Sequence, residues 1–79
     1  MARLLFFGRL RDSIGTGALT AALPDHVRDT ETLRSWLGAR HPDLRDSSVR
    51  IAVNAELAPG NAAVADEDEI AFLPPMSGG

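Results

Sequence analysis

The residues with the clearest capacity for chemistry stand at the C-terminal end. Gly78-Gly79 follows the stretch Phe72-Leu73-Pro74-Pro75-Met76-Ser77, so a free carboxylate sits at the tip of a tail with little side-chain bulk. At average glycine usage, two terminal glycines arise by chance in about 0.5% of chains. A frayed end would have the same composition, because ordinary termini are small, polar and mobile. The start of the tail separates the two readings. Glu69-Ile70-Ala71-Phe72-Leu73 reads as a strand, and Pro74-Pro75 then ends its pairing while holding the next residues extended, since proline has no N–H and a fixed φ. Residues 74 to 79 can reach roughly 20 Å beyond a sheet. A tail of that reach can enter a partner's active site while the folded body stays outside.

Other constellations are weaker. His26 and His41 are far apart and lack ligand spacing with any acid, so no metal site is expected. Gly15-Thr16-Gly17 lacks the third glycine and following helix of a dinucleotide fingerprint, and no Gly-Lys-Ser/Thr occurs, so the chain itself is expected to bind no nucleotide or other cofactor. No serine lies in a Gly-x-Ser-x-Gly elbow. All eight basic residues are arginine, which leaves no side-chain amine for Schiff-base chemistry or for an isopeptide bond with a second copy's tail. Cysteine is absent, which removes disulfides, thiolate metal sites and persulfide relays. Trp36 reads as a core residue rather than a ligand platform.

At 79 residues the chain is one domain with a core near the small end of what folds unaided. The apolar run Leu4-Leu5-Phe6-Phe7 after Met1-Ala2-Arg3 is too short for a signal-peptide core or a membrane span, so a soluble, cytoplasmic protein with an unprocessed N-terminus is expected. The net charge is −3, with acids gathered at Asp66-Glu67-Asp68-Glu69 and arginines scattered, which disfavours nucleic acid as a partner. The acidic run reads as a solvated turn before the last strand, with pairing to a partner's basic residues as a second role.

These elements must hold the tail. Arg3 to Gly8 reads as a buried strand and Ala18 to Leu23 as a second, joined as a hairpin through Gly15-Thr16-Gly17. Asp29 or Thr30 can cap a helix carrying Leu33, Trp36, Leu37 and Arg40 at helical spacing, ended by His41-Pro42. Val49 to Asn54 gives a third strand, Pro59-Gly60-Asn61 a loop, and Ile70 with Phe72 the closing strand. The order ββαββ predicts an α+β fold of β-grasp (ubiquitin-like) type: a mixed sheet crossed by one main helix over residues 1–73, with an extended tail over 74–79. On a two-residue period Leu4, Phe6, Ile70 and Phe72 point at the helix. One helix covers only one face, so Leu5, Phe7 and Leu73 are expected to form an outer apolar patch suited to a large, flat partner surface.

Several stretches together carry a resemblance over nearly the whole chain: Leu4-Leu5-Phe6-Phe7-Gly8-Arg9-Leu10-Arg11-Asp12, Ile14-Gly15, Glu31-Thr32-Leu33-Arg34, Ala52-Val53-Asn54 and Asp66 through Gly79. In these the sequence resembles the small, sulfur-carrier subunits of molybdopterin synthase. The Phe-Leu-Pro-Pro lead-in to Gly-Gly is the specific part, because related carriers such as that of the thiamine pathway share the glycines but usually lack it. Glu67 departs from the family's usual Asp-Gly-Asp-Glu turn, which puts the local geometry of that turn in question.

The resemblance implies a carrier that is not catalytic alone. An adenylating enzyme similar to ubiquitin-activating enzymes would use ATP to activate the carboxylate of Gly79, and a sulfur donor would then leave a thiocarboxylate there. Pro74, Pro75, Met76, Ser77 and Gly78 would thread into the large synthase subunit, with Leu5, Phe7 and Leu73 at the interface, in an assembly of two small and two large chains. The sulfur would pass to a cyclic pyranopterin precursor and build the dithiolene of molybdopterin. Two other readings use the same residues: a ubiquitin-like modifier ending as an amide on a partner's lysine, and a β-grasp binding module whose tail stays unmodified.

Overall fold

The computed structural model describes residues 1–75. In chain order it has β1 (Ala2–Phe6), α1 (Arg9–Ile14), β2 (Ala18–Ala21), α2 (Thr30–Gly38), a 3₁₀ turn (Pro42–Arg45), β3 (Arg50–Val53), β4 (Glu56–Leu57) and β5 (Glu69–Leu73). The strands form one mixed sheet in the order β2-β1-β5-β3-β4. The first and last strands are therefore central neighbours, paired in parallel from Arg3 opposite Glu69 to Phe6 opposite Phe72. This is the β-grasp arrangement expected from the sequence.

The inner face follows from alternation. Leu4, Phe6, Ile70, Phe72 and Ile51 are buried together with Leu33 of α2, Leu10 of α1 and Leu44 of the 3₁₀ turn. Phe6 and Phe72 stack with centroids 5.4 Å apart and planes at 16°. Losing either ring would remove about 3–5 kcal/mol, a large share of the stability of a domain this small. Trp36 and Leu37 are partly buried and packed against this core, in line with the core reading of Trp36.

Helix α2 starts at Asp29. Its carboxylate accepts the Thr32 N–H at 2.8 Å, and the Thr32 hydroxyl accepts the Asp29 N–H at 3.2 Å, a reciprocal cap that satisfies two otherwise unpaired donors. The Thr32 N–H and the Thr32 hydroxyl, which donates to the same carboxylate at 2.8 Å, hold the Asp29 carboxyl below its ordinary pKa. Arg40, which the spacing assigned to this helix, lies beyond its end.

Local expectations are corrected at several points, among them the second strand, which ends at Ala21 and not at Leu23. The first strand stops at Phe6 instead of running to Gly8, because Gly8 takes φ 55°, ψ −136°, a conformation open mainly to glycine. The first two strands are not a hairpin, since α1 lies between them. Gly15, read as a turn glycine, is the left-handed stop of that helix at φ 98°, its N–H bonded to the Arg11 carbonyl. The 3₁₀ turn and β4 add to the simple ββαββ order, and the third strand runs Arg50–Val53, shorter than Val49 to Asn54. β3 and β4 are joined through Asn54 and Ala55 at φ 51° and 71°, the backbone of a type I′ hairpin turn built here without glycine.

Glu67 needs no special backbone. Among the described residues the only non-glycine positions at positive φ are Asn54 and Ala55. The turn closes instead through Asp68, whose carboxylate accepts the Ala65 N–H at 2.8 Å while its own N–H donates to the Ala65 carbonyl at 3.0 Å.

Candidate functional site

The outer face of the sheet is built by register. Leu5 lies opposite Ala18 on one side and Ala71 on the other, Ala71 opposite Ala52, and Ala52 opposite Leu57. An apolar row thus crosses all five strands. Below it, toward the end of β5, Leu73 faces Arg50 of β3, and Phe7 follows β1 with its N–H bonded to the Phe72 carbonyl at 3.2 Å. Phe7 is 46% exposed and Leu57 54% exposed, whereas Leu5 and Leu73 are half-buried. At the opposite end of the face, Arg3 and Glu69 pair at 3.7 Å, an exposed contact of small energetic weight that makes this end polar.

The chain leaves this surface at Pro74. A Cβ placed on Gly8 would lie 2.8 Å from Pro74 Cγ, so the bare α-carbon of Gly8 makes the room into which the proline ring packs. Pro74 and Pro75 are half-buried and, with Phe7, Gly8, Leu73, Leu57, Arg50, Ser47 and Ser48, bound an open cavity of about 790 Å³. Its polar wall is held from behind. Arg34 of α2 donates to the carbonyls of Leu44 and Asp46 at 2.8 and 2.9 Å and to that of Val49 at 2.8 Å, pinning the segment that carries Ser47 and Ser48. Within that segment Asp46 accepts from the Ser48 N–H and hydroxyl, which depresses its pKa.

The structure therefore brings Phe7, Leu73, Pro74 and Pro75 to one cavity and sets Leu5 one row away. Met76, Ser77, Gly78 and Gly79, where the reacting group is expected, lie outside the described residues. Sequence reasoning did not single out Gly8, Arg50 or Leu57 for this place. The Phe7-Gly8 junction, a glycine directly after an apolar strand, was the available signal for the first.

The acidic run is more structural than the solvated-turn reading allowed. Asp66 accepts the Leu23 N–H at 2.7 Å and pairs with the N-terminal ammonium at 3.3 Å; the Leu23 hydrogen bond is the main reason its pKa is lowered. Asp68 closes its own turn and accepts from the Asn54 amide at 3.0 Å, while the Asn54 side-chain oxygen accepts the Glu69 N–H at 2.9 Å. Glu67 is left as the exposed acid of the run without a hydrogen bond or ion pair among the described residues. His26 is exposed, His41 stands at the start of the 3₁₀ turn, and among the described residues no group of three or more His, Asp or Glu side chains is arranged to hold a metal. No helix among them is long and apolar enough to cross a membrane.

Comparison with known proteins agrees with this architecture. Residues 4–79 match the model of the ThiS family. The chain is 35% identical to the molybdopterin synthase sulfur carrier subunit of Haemophilus influenzae and 34% identical to that of Escherichia coli, in both cases over 100% of each chain. Its fold superposes on the crystal structure of small archaeal modifier protein 1 from Haloferax volcanii with a TM-score of 0.77, at 24% identity, covering 99% of this chain and 98% of that one. The β-grasp sheet, the strand that delivers a proline-led tail, and these full-length matches lead to one conclusion: the chain belongs to the ThiS family, with the sulfur carrier subunits of molybdopterin synthase among its relatives.

Proposed function

We propose that this protein is the sulfur carrier of molybdenum cofactor biosynthesis, the small partner of a large molybdopterin synthase subunit. The support comes from the relatives of that name together with one feature of the fold: Pro74, seated on Gly8, lies where the chain leaves the sheet at the rim of an exposed apolar face. The body docks by that face, through Leu5, Phe7 and Leu73, while residues 74–79 form the arm that reaches the partner's active site.

The chemistry belongs to the C-terminal carboxylate. With an ordinary pKa of about 3.5 it is ionised at neutral pH and attacks the α-phosphate of ATP held by an adenylating enzyme, releasing pyrophosphate and leaving a glycyl adenylate. A donor then delivers sulfur at the sulfide level: hydrosulfide adds to the activated carbonyl, the C–O bond to phosphate breaks and AMP departs, which leaves a thiocarboxylate on Gly79. That group is anionic near neutral pH, and its sulfur is the nucleophile delivered to a cyclic pyranopterin precursor in the large subunit. Gly78 and Gly79 have no Cβ, so the arm passes a narrow channel and adopts backbone angles closed to other residues. ATP, pterin and metal are handled by partners in the cytosol, in a complex of two small and two large chains.

Deleting Gly79 tests the proposal. Molybdopterin formation should disappear while thermal unfolding stays unchanged, because the residue carries the reacting group and lies beyond the core-forming strands. Normal product formation by the shortened chain would defeat the proposed chemistry.

The modifier reading keeps one point in its favour, the shared fold with small archaeal modifier protein 1. It predicts adducts on lysines of other proteins in place of a thiocarboxylate.

A further inference from the structure

The opposite margin of the sheet has an unused edge. β2 pairs only with β1, and Phe6 donates its N–H to the Gly17 carbonyl at 2.9 Å, which sets the alternation of the ladder. Gly17, Leu19 and Ala21 turn their backbone groups toward β1, and Ala18 and Thr20 turn theirs outward, with Ala22 exposed just past the end of the strand. Ala18 is closed off locally, because its N–H and its carbonyl both bond the Thr16 hydroxyl, at 3.4 and 2.9 Å. Thr20 and Ala22 have no such partner among the described residues. They offer N–H and carbonyl groups two residues apart, the spacing an added strand requires.

Beside that edge lies a cleft of about 360 Å³ between β2 and the end of α2, walled by Leu19, Ala21, Trp36 and Leu37, with Arg40 and His41 at its rim. No acid lines it. Arg40 is exposed and makes no ion pair or side-chain hydrogen bond among the described residues. The nearby carboxylate of Asp66 is engaged by the Leu23 N–H and the N-terminus.

We infer that this edge and cleft together bind an extended peptide segment of a partner protein, one with alternating aliphatic residues followed by acidic ones. The segment adds a short strand to Thr20–Ala22, inserts every second side chain between Trp36 and Leu19, and sets its acids against Arg40 and His41. The backbone provides binding strength and the basic rim fixes polarity and direction. The surface is separate from the outer face and the tail, so the chain can be held at this margin while its arm remains free to react.

The test is an amide-resolved NMR titration of the full chain with a capped synthetic peptide, Val-Ile-Val-Ile-Asp-Glu-Glu. Saturable shifts at Thr20, Ala22, Leu37, Arg40 and the Trp36 indole N–H are expected. Arg40→Glu and Thr20→Pro should each weaken binding roughly fivefold, by loss of a rim charge and of an edge donor. Proline is tolerated at an outward-facing edge position, and an unchanged amide spectrum at the core strands verifies the fold of that variant. Leu73→Asp should bind the peptide as the parent does, which keeps this inference distinct from docking by the outer face. Absence of saturation at millimolar peptide, shifts centred on Phe7, Leu57 and Leu73, or equal binding of a peptide with lysines in place of its acids would overturn it. Concentration-dependent shifts at Thr20 and Ala22 without peptide would also overturn it, by assigning the edge to a second copy of the chain.

Discussion

Gly8 and Pro74 interlock: the α-carbon of Gly8 faces the proline ring so closely that a Cβ would come within 2.8 Å of Pro74 Cγ. The contact joins the exit of β1 to the exit of β5 and so fixes where Pro74 sits as the chain leaves the sheet. Gly8→Ala should both strain the backbone, at φ 55°, and push the proline aside. A loss of about 1–3 kcal/mol in urea unfolding is expected, with slower sulfur transfer from pre-formed thiocarboxylate. Transfer at the parent rate in a variant with displaced Pro74 would show that the position of Pro74 is irrelevant.

Phe7→Arg and Leu73→Asp should weaken association with the large subunit and the activating enzyme while the monomer stays folded. Each places a charge in an apolar contact that is desolvated on docking, a burial worth several kcal/mol when unpaired. Calorimetric titration alongside thermal unfolding separates the effects. Phe72→Ala is the contrast: it should lose about 3–5 kcal/mol of stability, because its ring stacks on Phe6 inside the sheet.

Ala55→Gly should stabilise the fold by up to about 1 kcal/mol. Ala55 occupies φ 71° in the β3–β4 turn, where its Cβ is disfavoured, and relief of that strain outweighs the extra freedom glycine gives the unfolded chain. The midpoint of urea unfolding should rise with no change in slope, and a lower midpoint would remove the strain argument.

Acid should destabilise the protein through Asp66, Asp29 and Asp46, whose pKa values are all depressed in the folded state. For a lowered carboxylate pKa, the unfolded chain binds protons first as pH falls. The stabilisation is complete above the unfolded value of about 3.9 and is lost as pH drops through the folded value. Asp66→Asn retains an oxygen for the Leu23 N–H but cannot ionise, so its stability should fall less steeply than the parent's below about pH 4. Parallel curves of melting temperature against pH would exclude Asp66 as a contributor.

The sequence made the central sheet legible where burial imposes a two-residue period. Ile70 and Phe72 alternate with Ala71 and Leu73, and the closing strand runs Glu69–Leu73 as read. The start of α2 was legible to within one residue, with Asp29 or Thr30 as the cap, and the structure gives the role to Asp29. Helix α1 was not, since six residues with only Leu10 and Ile14 apolar carry too little periodicity, and Gly15 serves a helix stop as readily as a hairpin. The cavity beside the tail was hidden for another reason. Its walls depend on contacts distant in sequence, Gly8 with Pro74 and Arg34 with the 44–49 segment, which no local pattern encodes.

The most direct measurement is the intact mass of the chain isolated from cells that contain the activating enzyme, before and after incubation with the large subunit and the pterin precursor. Replacement of one oxygen by sulfur, mapped to Gly79 by fragmentation and lost on incubation as molybdopterin forms, is the predicted result. An unmodified C-terminus in cells making molybdenum cofactor, or attachment of the chain to lysines of other proteins without any thiocarboxylate, would contradict the sulfur-carrier function.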